Sequence, residues 1–317
     1  MFPSLFVKKE ISYAMDYGIR DFEFTGGEPG EFGGLSEIVT ETKYEGEKRG
    51  FVPRIAVISN GKIASEESRF WKNIDEVLVS YHSGRKPKDS KMFPGGSTWS
   101  KASACCHVAR SFGKMVRTNS ILGKFNIDEW DGIIEDIIEI SPDIANILPV
   151  NTFDSARSME KEIDPEKQRE VLKKAITAFE EHGIPTFVRY FPFCAMEGFE
   201  RNIVGNLQHI WDWFDWNREL DGTRFLDLVK ANRKLGKYGS RSLETVLSER
   251  DVIFFKSPRC VSCKFWPICD GFQSRSPEIL DCCVPSPGKQ ITNPLEFIGR
   301  RSEEIYAARY GEKSVQG

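Results

Sequence analysis

Three cysteines near the C-terminal end have the residue type and the spacing of metal ligands. Cys260, Cys263 and Cys269 form a Cys-x2-Cys-x5-Cys pattern, and Pro267 lies within the longer spacer. Two thiolates separated by two residues can bind one metal from a single tight turn, and the third can return to that metal around the proline. Three ligands close in sequence and one distant ligand are usual for a four-thiolate iron–sulfur cluster or zinc site. The pattern therefore predicts a metal site within residues 260–269.

The fourth ligand has two candidates. Cys194 follows the strand-like run 186–191, and the adjacent pair Cys282 and Cys283 lies beyond Cys269. Adjacent cysteines rarely both point at one metal, so at most one of that pair would serve. We expect Cys194 to be the ligand; the alternative is that it packs as a small buried hydrophobic residue.

Two further cysteines, Cys105 and Cys106, lie side by side in the helix-like stretch 102–112. We expect them to be structural.

A second candidate site is the Gly-Gly-Glu-Pro sequence at residues 26–29, which ends the β-favouring run 21–25. Alternation of apolar and polar residues in that run predicts a strand, and the glycines predict a sharp exit. Glycines without Cβ atoms let a ligand approach the backbone, whose carbonyl groups can then accept hydrogen bonds from an ammonium group. Pro29 fixes the chain direction. The alternative is a strand that ends in an ordinary tight turn.

The elements that must position these residues alternate between strands and helices. Helix-like segments lie between the strand-like runs, and no Gly-x-Gly-x-x-Gly fingerprint occurs. Strands separated by helices of ~10–18 residues imply βαβ units and a parallel sheet, which most often closes as a full or partial β/α barrel with functional residues at the strand C-termini. We expect strands at 21–25, 54–61, 76–83, 115–122, 146–151 and 186–191.

The expected fold class is therefore α/β, a partial (β/α)6 TIM-like barrel with a small cysteine-rich C-terminal extension. Residues 1–192 would form the barrel, 193–285 the extension and 286–317 a C-terminal tail. A core stripe is expected on the helix 130–140, at Ile133, Ile134, Ile137 and Ile138. The basic stretch 85–88 is expected to be a solvated loop.

The order of these motifs resembles that of the radical S-adenosylmethionine (SAM) enzymes. In that family Gly-Gly-Glu-Pro binds the amino group of the methionine moiety of SAM, and polar residues at later strand ends assist. Ser59-Asn60-Gly61 resembles the end of the next family strand. The resemblance implies that SAM is bound by Gly26, Gly27, Glu28, Pro29, Ser80 and Asn119.

The C-terminal cysteines resemble those of the SPASM or twitch extensions, which carry auxiliary clusters behind many radical SAM barrels. The next cysteine of the family pattern is replaced by Gln273, so we expect one auxiliary [4Fe–4S] cluster at most. Its implied ligands are Cys194, Cys260, Cys263 and Cys269.

One family motif is not found. Radical SAM enzymes carry a Cys-x3-Cys-x2-Cys loop upstream of Gly-Gly-Glu-Pro, and residues 1–25 contain no cysteine. The chain instead opens on an amphipathic helix-like run at 5–15. We therefore expect the barrel to be N-terminally incomplete, without the first strand and cluster loop of the family.

The composition limits which binding partners and which cellular compartment the sequence predicts. The net charge of −3 and the pI near 6.0 give no electrostatic footprint for nucleic acid or an anionic membrane. The sequence contains neither a membrane-spanning apolar run nor a signal peptide. Eight cysteines in a large chain without secretory features favour metal chemistry in a reducing, cytoplasmic compartment over disulfides.

Two functions follow from these features. The resemblance implies an enzyme in which reductive cleavage of SAM yields a 5′-deoxyadenosyl radical that abstracts hydrogen from a substrate. The motifs identify neither the substrate nor a catalytic side chain. The family association suggests a peptide substrate, and an electron donor protein would be a partner. The alternative is a non-catalytic or split radical SAM-like protein that keeps a structural four-cysteine zinc or iron–sulfur site.

Overall fold

The computed structural model describes residues 4–16, 18–85, 99–149, 165–189, 191–204, 255–269, 271–272 and 284–292. The strands are β1 Asp21–Phe24, β2 Arg54–Ser59, β3 Glu76–Ser80, β4 Met115–Leu122, β5 Ile144–Pro149, β6 Thr186–Arg189 and β7 Ile203–Val204. The α-helices are α1 Ser4–Asp16, α2 Leu35–Lys48, α3 Ser68–Asn73, α4 Trp99–Ser111, α5 Trp130–Ile140 and α6 Pro165–Glu181.

The strands form one sheet in the order β1-β2-β3-β4-β5-β6-β7. The pairs β1–β2, β2–β3, β3–β4 and β6–β7 are parallel. The strands β2 and β3 are largely buried and are apolar between their polar end residues, as expected for strands covered on both faces. The α/β class and the partial TIM-like barrel are confirmed. The six expected strands are present, and the seventh, β7, has only two residues, too few to produce a recognisable alternation.

The chain divides into two compact units. One comprises residues 1–121, 125–146 and 177–186, and the other comprises 122–124, 147–176 and 187–317. The boundaries expected at 192 and 285 stay predictions, and residues 205–254 and 293–317 lie outside the described part of the chain. Within that part, no helix has the length and apolar character needed to cross a bilayer.

Helix α5 has the bounds that its sequence pattern predicts, but its buried face differs by one residue. Ile133, Ile134 and Ile137 are buried as expected, whereas Ile138 is only half-buried. Asp136 is instead 4% exposed. A buried carboxylate requires partners, and these come from the chain just after β3.

A chain of ion pairs lies near the amino ends of β1 to β4. The Arg117 guanidinium pairs with both Glu76 and Glu23. Arg54 pairs with Glu76 at 2.7 Å and with Asp21 at 3.1 Å. Arg117 and Glu76 are almost completely buried. Since residues two apart on a strand share a face, these contacts also mark the face of the sheet to which Glu76, Leu78 and Ser80 belong.

Candidate functional site at the carboxyl ends of the strands

The turn after β1 leaves its backbone open. Gly26 and Gly27 have φ values of 102° and 59°, in the region that favours glycine. Both residues are exposed, and an ideal Cβ atom placed at either one meets no heavy atom within 4 Å. The space in front of these two residues is therefore available to a ligand.

Glu28 fixes this turn to the end of β2. Its Oε1 atom accepts hydrogen bonds from the Ser59 hydroxyl at 2.6 Å and from the Gly30 N–H group at 3.0 Å. Its Oε2 atom accepts one from the Asn60 N–H group at 2.7 Å. The carboxylate thus braces two neighbouring strand ends. Pro29, which is buried, starts the short 3-10 turn that follows.

The end of β2 approaches α4 closely. Gly61 has a φ of 100°, and a Cβ atom there would lie 2.5 Å from the backbone carbonyl of Lys101. The Gly61 N–H group donates to the Ser59 hydroxyl at 3.0 Å. Ser59 therefore joins Glu28 to this close approach, a positioning role that the sequence prediction did not assign. The sequence feature that indicates this role is Ser-Asn-Gly at the strand end.

Ser80 and Asn119 lie opposite each other in the β3–β4 register. The Tyr81 N–H group donates to the Asn119 carbonyl oxygen at 2.9 Å, which continues the pairing by one residue. The side-chain Oδ1 atom of Asn119 is buried, and no described residue donates a hydrogen bond to it. A buried acceptor left in this state costs free energy.

The opposite face of the same strand end carries a buried charge network. The Tyr81 hydroxyl donates to Asp136 Oδ2 at 2.5 Å, and Arg85 Nε donates to Oδ1 at 2.6 Å. The Arg85 guanidinium also lies 4.1 Å from the centre of the Trp99 ring. Burial and the bond to Asp136 raise the pKa of Tyr81. Arg85 is exposed, as expected of a solvated basic loop, and it also pairs with the buried Asp136 carboxylate. Residues 86–98 lie outside the described part.

In the cysteine-rich segment, the Cys260–Cys263 turn has the tight geometry that its spacing predicts. Residues Pro258–Ser262 form a 3-10 helix, and the Ser257 hydroxyl accepts a hydrogen bond from the Arg259 N–H group. The Cys263 N–H group donates to the Cys260 carbonyl oxygen at 2.9 Å.

Cys269 and Cys194 lie close enough to interact electrostatically. The rings of Phe193 and Phe265 stack with centroids 4.8 Å apart, which joins the two segments that carry these cysteines. Burial, together with the neighbouring Cys194 thiol, raises the pKa of Cys269 to about 11, while backbone hydrogen bonds from Phe193 and Gly271 act to lower it. The Gly271 N–H group lies 3.3 Å from the Cys269 sulfur.

The structure does not bring all four predicted metal ligands together. Among the described residues, no group of three or more His, Cys, Asp or Glu side chains is arranged to hold a metal ion. Cys282, Cys283 and Gln273 lie outside the described residues.

Cys105 and Cys106 are both buried in α4, as expected of structural cysteines. Burial raises the pKa of both thiols, that of Cys106 to about 12. A thiol that stays protonated is a poor nucleophile and a poor metal ligand.

Comparison with known proteins gives one curated relative and several solved structures. No protein-family model matches the chain. A probable GTP 3′,8-cyclase of Sulfurisphaera tokodaii is 31% identical over an alignment of 173 positions, which covers 50% of this chain and 53% of that protein. The chain thus spans about half the length of the curated relative it matches.

The solved structures decide the fold. The enzyme anSMEcpe with bound AdoMet aligns with 100% of this chain and 90% of its own, with a TM-score of 0.56 and 11% identity. Streptococcus suis SuiB bound to its precursor peptide SuiA aligns with 86% of this chain and 65% of its own, with a TM-score of 0.51 and 13% identity. Both are radical SAM enzymes. The chain has the radical SAM fold.

Within the radical SAM fold, the predicted SAM-binding residues fall at or near the carboxyl ends of β1, β3 and β4. Gly26, Gly27, Glu28 and Pro29 follow β1, while Ser80 ends β3 opposite Asn119 in β4. Their roles toward SAM stay predictions, as do the metal ligands and the SPASM-like character of the extension.

Proposed function

We propose that this chain is the SAM-binding core of a radical SAM iron–sulfur protein. The observation that carries the proposal is the open turn at Gly26 and Gly27, held in place by Glu28. The turn fits SAM because its two glycines leave the backbone uncovered. Exposed backbone carbonyl groups can accept hydrogen bonds from the ammonium group of an amino acid moiety.

The other residues in this proposal bind and orient SAM. Glu28 keeps the turn rigid through its bonds to Ser59 and Asn60. Asn119 supplies the buried Oδ1 acceptor, and Ser80 supplies a hydroxyl on the neighbouring strand. When bound and reductively cleaved, SAM supplies a 5′-deoxyadenosyl radical that abstracts hydrogen from the substrate. The protein positions SAM and shields it.

The same proposal includes one auxiliary [4Fe–4S] cluster in the extension, with Cys194, Cys260, Cys263 and Cys269 as ligands. The proximity of Cys194 and Cys269 supports it, as do the two backbone hydrogen bonds to the Cys269 thiol. Such bonds stabilise a thiolate and tune the potential of a cluster. Zinc on the same thiolates is the alternative.

The substrate is proposed to be a peptide. SuiB was solved with its precursor peptide and anSMEcpe with the Cp18Cys peptide. An electron donor protein would supply the reducing equivalents, and the free cysteines favour a reducing, cytoplasmic compartment.

Metal analysis tests the extension. Anaerobically reconstituted protein should bind one [4Fe–4S] cluster, measured as iron and sulfide. Cys194→Ala should lose iron about as severely as Cys260→Ala, because a cluster that lacks one thiolate becomes labile. Joint replacement of Cys282 and Cys283 by Ala should have a milder effect. Stoichiometric zinc without iron would favour the structural alternative, and iron that survives Cys194→Ala but not the double change would reassign the fourth ligand.

The chemistry is tested by formation of 5′-deoxyadenosine. The first cysteine of the sequence is Cys105, so residues 1–104 offer no thiolates for a SAM-cleaving cluster. We expect no product from the 317-residue chain with a strong reductant. Product should form when a family-like strand and Cys-x3-Cys-x2-Cys loop are supplied ahead of Met1. Product from the chain alone would show that other cysteines build the cluster, and none in either form would favour a non-catalytic barrel.

A further inference from the structure

His82 continues the ligand-facing side of β3 beyond the end of the strand. Side chains alternate between the two faces of an extended chain. Tyr81 contacts Asp136 of α5 and Trp99 of α4, so it lies on the helix-covered face. His82, the next residue, therefore follows Ser80 on the opposite face.

The position of the His82 imidazole is fixed by hydrogen bonds to β4 and to the loop after it. Its Nδ1 atom accepts a hydrogen bond from the Ile121 N–H group at 3.3 Å. The Asn126 side-chain amide donates to the His82 carbonyl oxygen at 2.8 Å and to the Ile121 carbonyl oxygen at 2.7 Å. Asn126 is itself buried. The ring is thus bonded to the neighbouring strand, and the backbone of the same residue is held by Asn126.

These bonds also determine which ring nitrogen carries the proton. Because Nδ1 accepts a hydrogen bond, the neutral imidazole carries its proton on Nε2. Burial lowers the pKa of His82 to about 4, so the ring is neutral at physiological pH. His82 is partly exposed, and no described residue is bonded to its Nε2 atom. By alternation, the ring therefore presents one N–H donor on the face of the sheet that carries Ser80 and Asn119.

We propose that His82 is a positioning residue whose Nε2–H group donates a hydrogen bond to an acceptor atom of bound SAM. The inference rests on the proposed function. SAM carries a sulfonium and an ammonium cation, and its carboxylate, ribose and adenine groups offer acceptors. A neutral imidazole can donate to these acceptors without repelling the cations. With the buried Oδ1 atom of Asn119, it gives the site one donor and one acceptor.

Two substitutions distinguish the contribution of Nε2 from that of Nδ1. The side-chain amide of Gln can reach the position of Nε2 and retain a donor there, whereas that of Asn reaches only the position of Nδ1. We expect His82→Asn to raise the Kd for SAM about tenfold and His82→Gln to change it less than about threefold. Equilibrium dialysis with the anaerobically reconstituted full chain gives these constants. The matched control is His182→Asn at an exposed position just after α6, which should leave the Kd unchanged.

A second readout does not depend on SAM. The ring 15N chemical shifts of His82 in the ligand-free chain should report a neutral Nε2–H tautomer, and an Nδ1–H tautomer would overturn the inference. Equal SAM binding by the wild type and both His82 variants would overturn the inference alone. If the wild type does not bind SAM, the inference and the SAM part of the proposed function both fail.

Discussion

The two ends of the β1–β4 region use polar side chains in opposite ways. At the amino ends, Arg117, Glu76 and Arg54 are linked in buried ion pairs. At the carboxyl ends, the turn at Gly26 is open and the buried Oδ1 atom of Asn119 receives no hydrogen bond from the described residues. The first arrangement satisfies its charges within the protein, and the second leaves groups for a ligand to satisfy.

This difference agrees with the general behaviour of β/α barrels, in which the amino-terminal face contributes stability and the carboxyl-terminal face carries function. Substitutions at the two ends should therefore change two different measured quantities. Changes among the ion pairs should lower the free energy of unfolding, while changes at the strand exits should act mainly on ligand affinity.

The largest effect on stability is expected at Glu76. Glu76→Ala removes the carboxylate that pairs with both Arg117 and Arg54 and leaves the buried guanidinium of Arg117 with Glu23. Breaking a buried ion pair costs about 3–5 kcal/mol of unfolding free energy, measurable by urea denaturation.

The matched control is Glu31→Ala, which removes a surface ion pair with Lys62. Exposed pairs of this kind contribute about 0–1 kcal/mol. If Glu76→Ala cost no more than this control, the amino-end network would not be a structural element.

A smaller effect, dependent on pH, is expected at His82. Burial lowers the pKa of His82 from 6.5 to about 4, so the unfolded chain binds its proton more readily than the folded one. Between these two pH values the free energy of unfolding should fall as the pH falls, by roughly 3 kcal/mol at most. Above pH 6.5 the contribution should be constant.

The check compares urea denaturation of the wild type with that of His82→Asn at pH 7.5 and pH 4.5. The difference in stability between the two proteins should shrink or change sign in favour of the variant at the lower pH. A difference that is the same at both values would show that His82 is not held in its neutral form by burial.

The sequence was sufficient for features that depend on local pattern. The helix 130–140 and the six longer strands follow from periodicity, and the open turn after β1 follows from Gly-Gly-Glu-Pro. The burial of Asp136 did not follow, because it depends on Tyr81 and Arg85, about 50 residues away along the chain. The bracing role of Glu28 depends in the same way on Ser59. Such partners are brought together only by the tertiary fold.

The central claim, that the carboxyl end of β1 binds SAM through its open backbone, is tested most directly by a pair of glycine substitutions. Gly26 and Gly50 both have positive φ values, and a Cβ atom at either meets nothing within 4 Å. Gly26 lies after β1, whereas Gly50 lies before β2, at its amino end. Each Gly→Ala change therefore strains the backbone in a similar way, but only the methyl group at residue 26 enters the proposed SAM site. We predict that Gly26→Ala raises the Kd for SAM about tenfold or more and that Gly50→Ala leaves it within about twofold of the wild type. SAM binding by Gly26→Ala that is as tight as that of the wild type would contradict the claim.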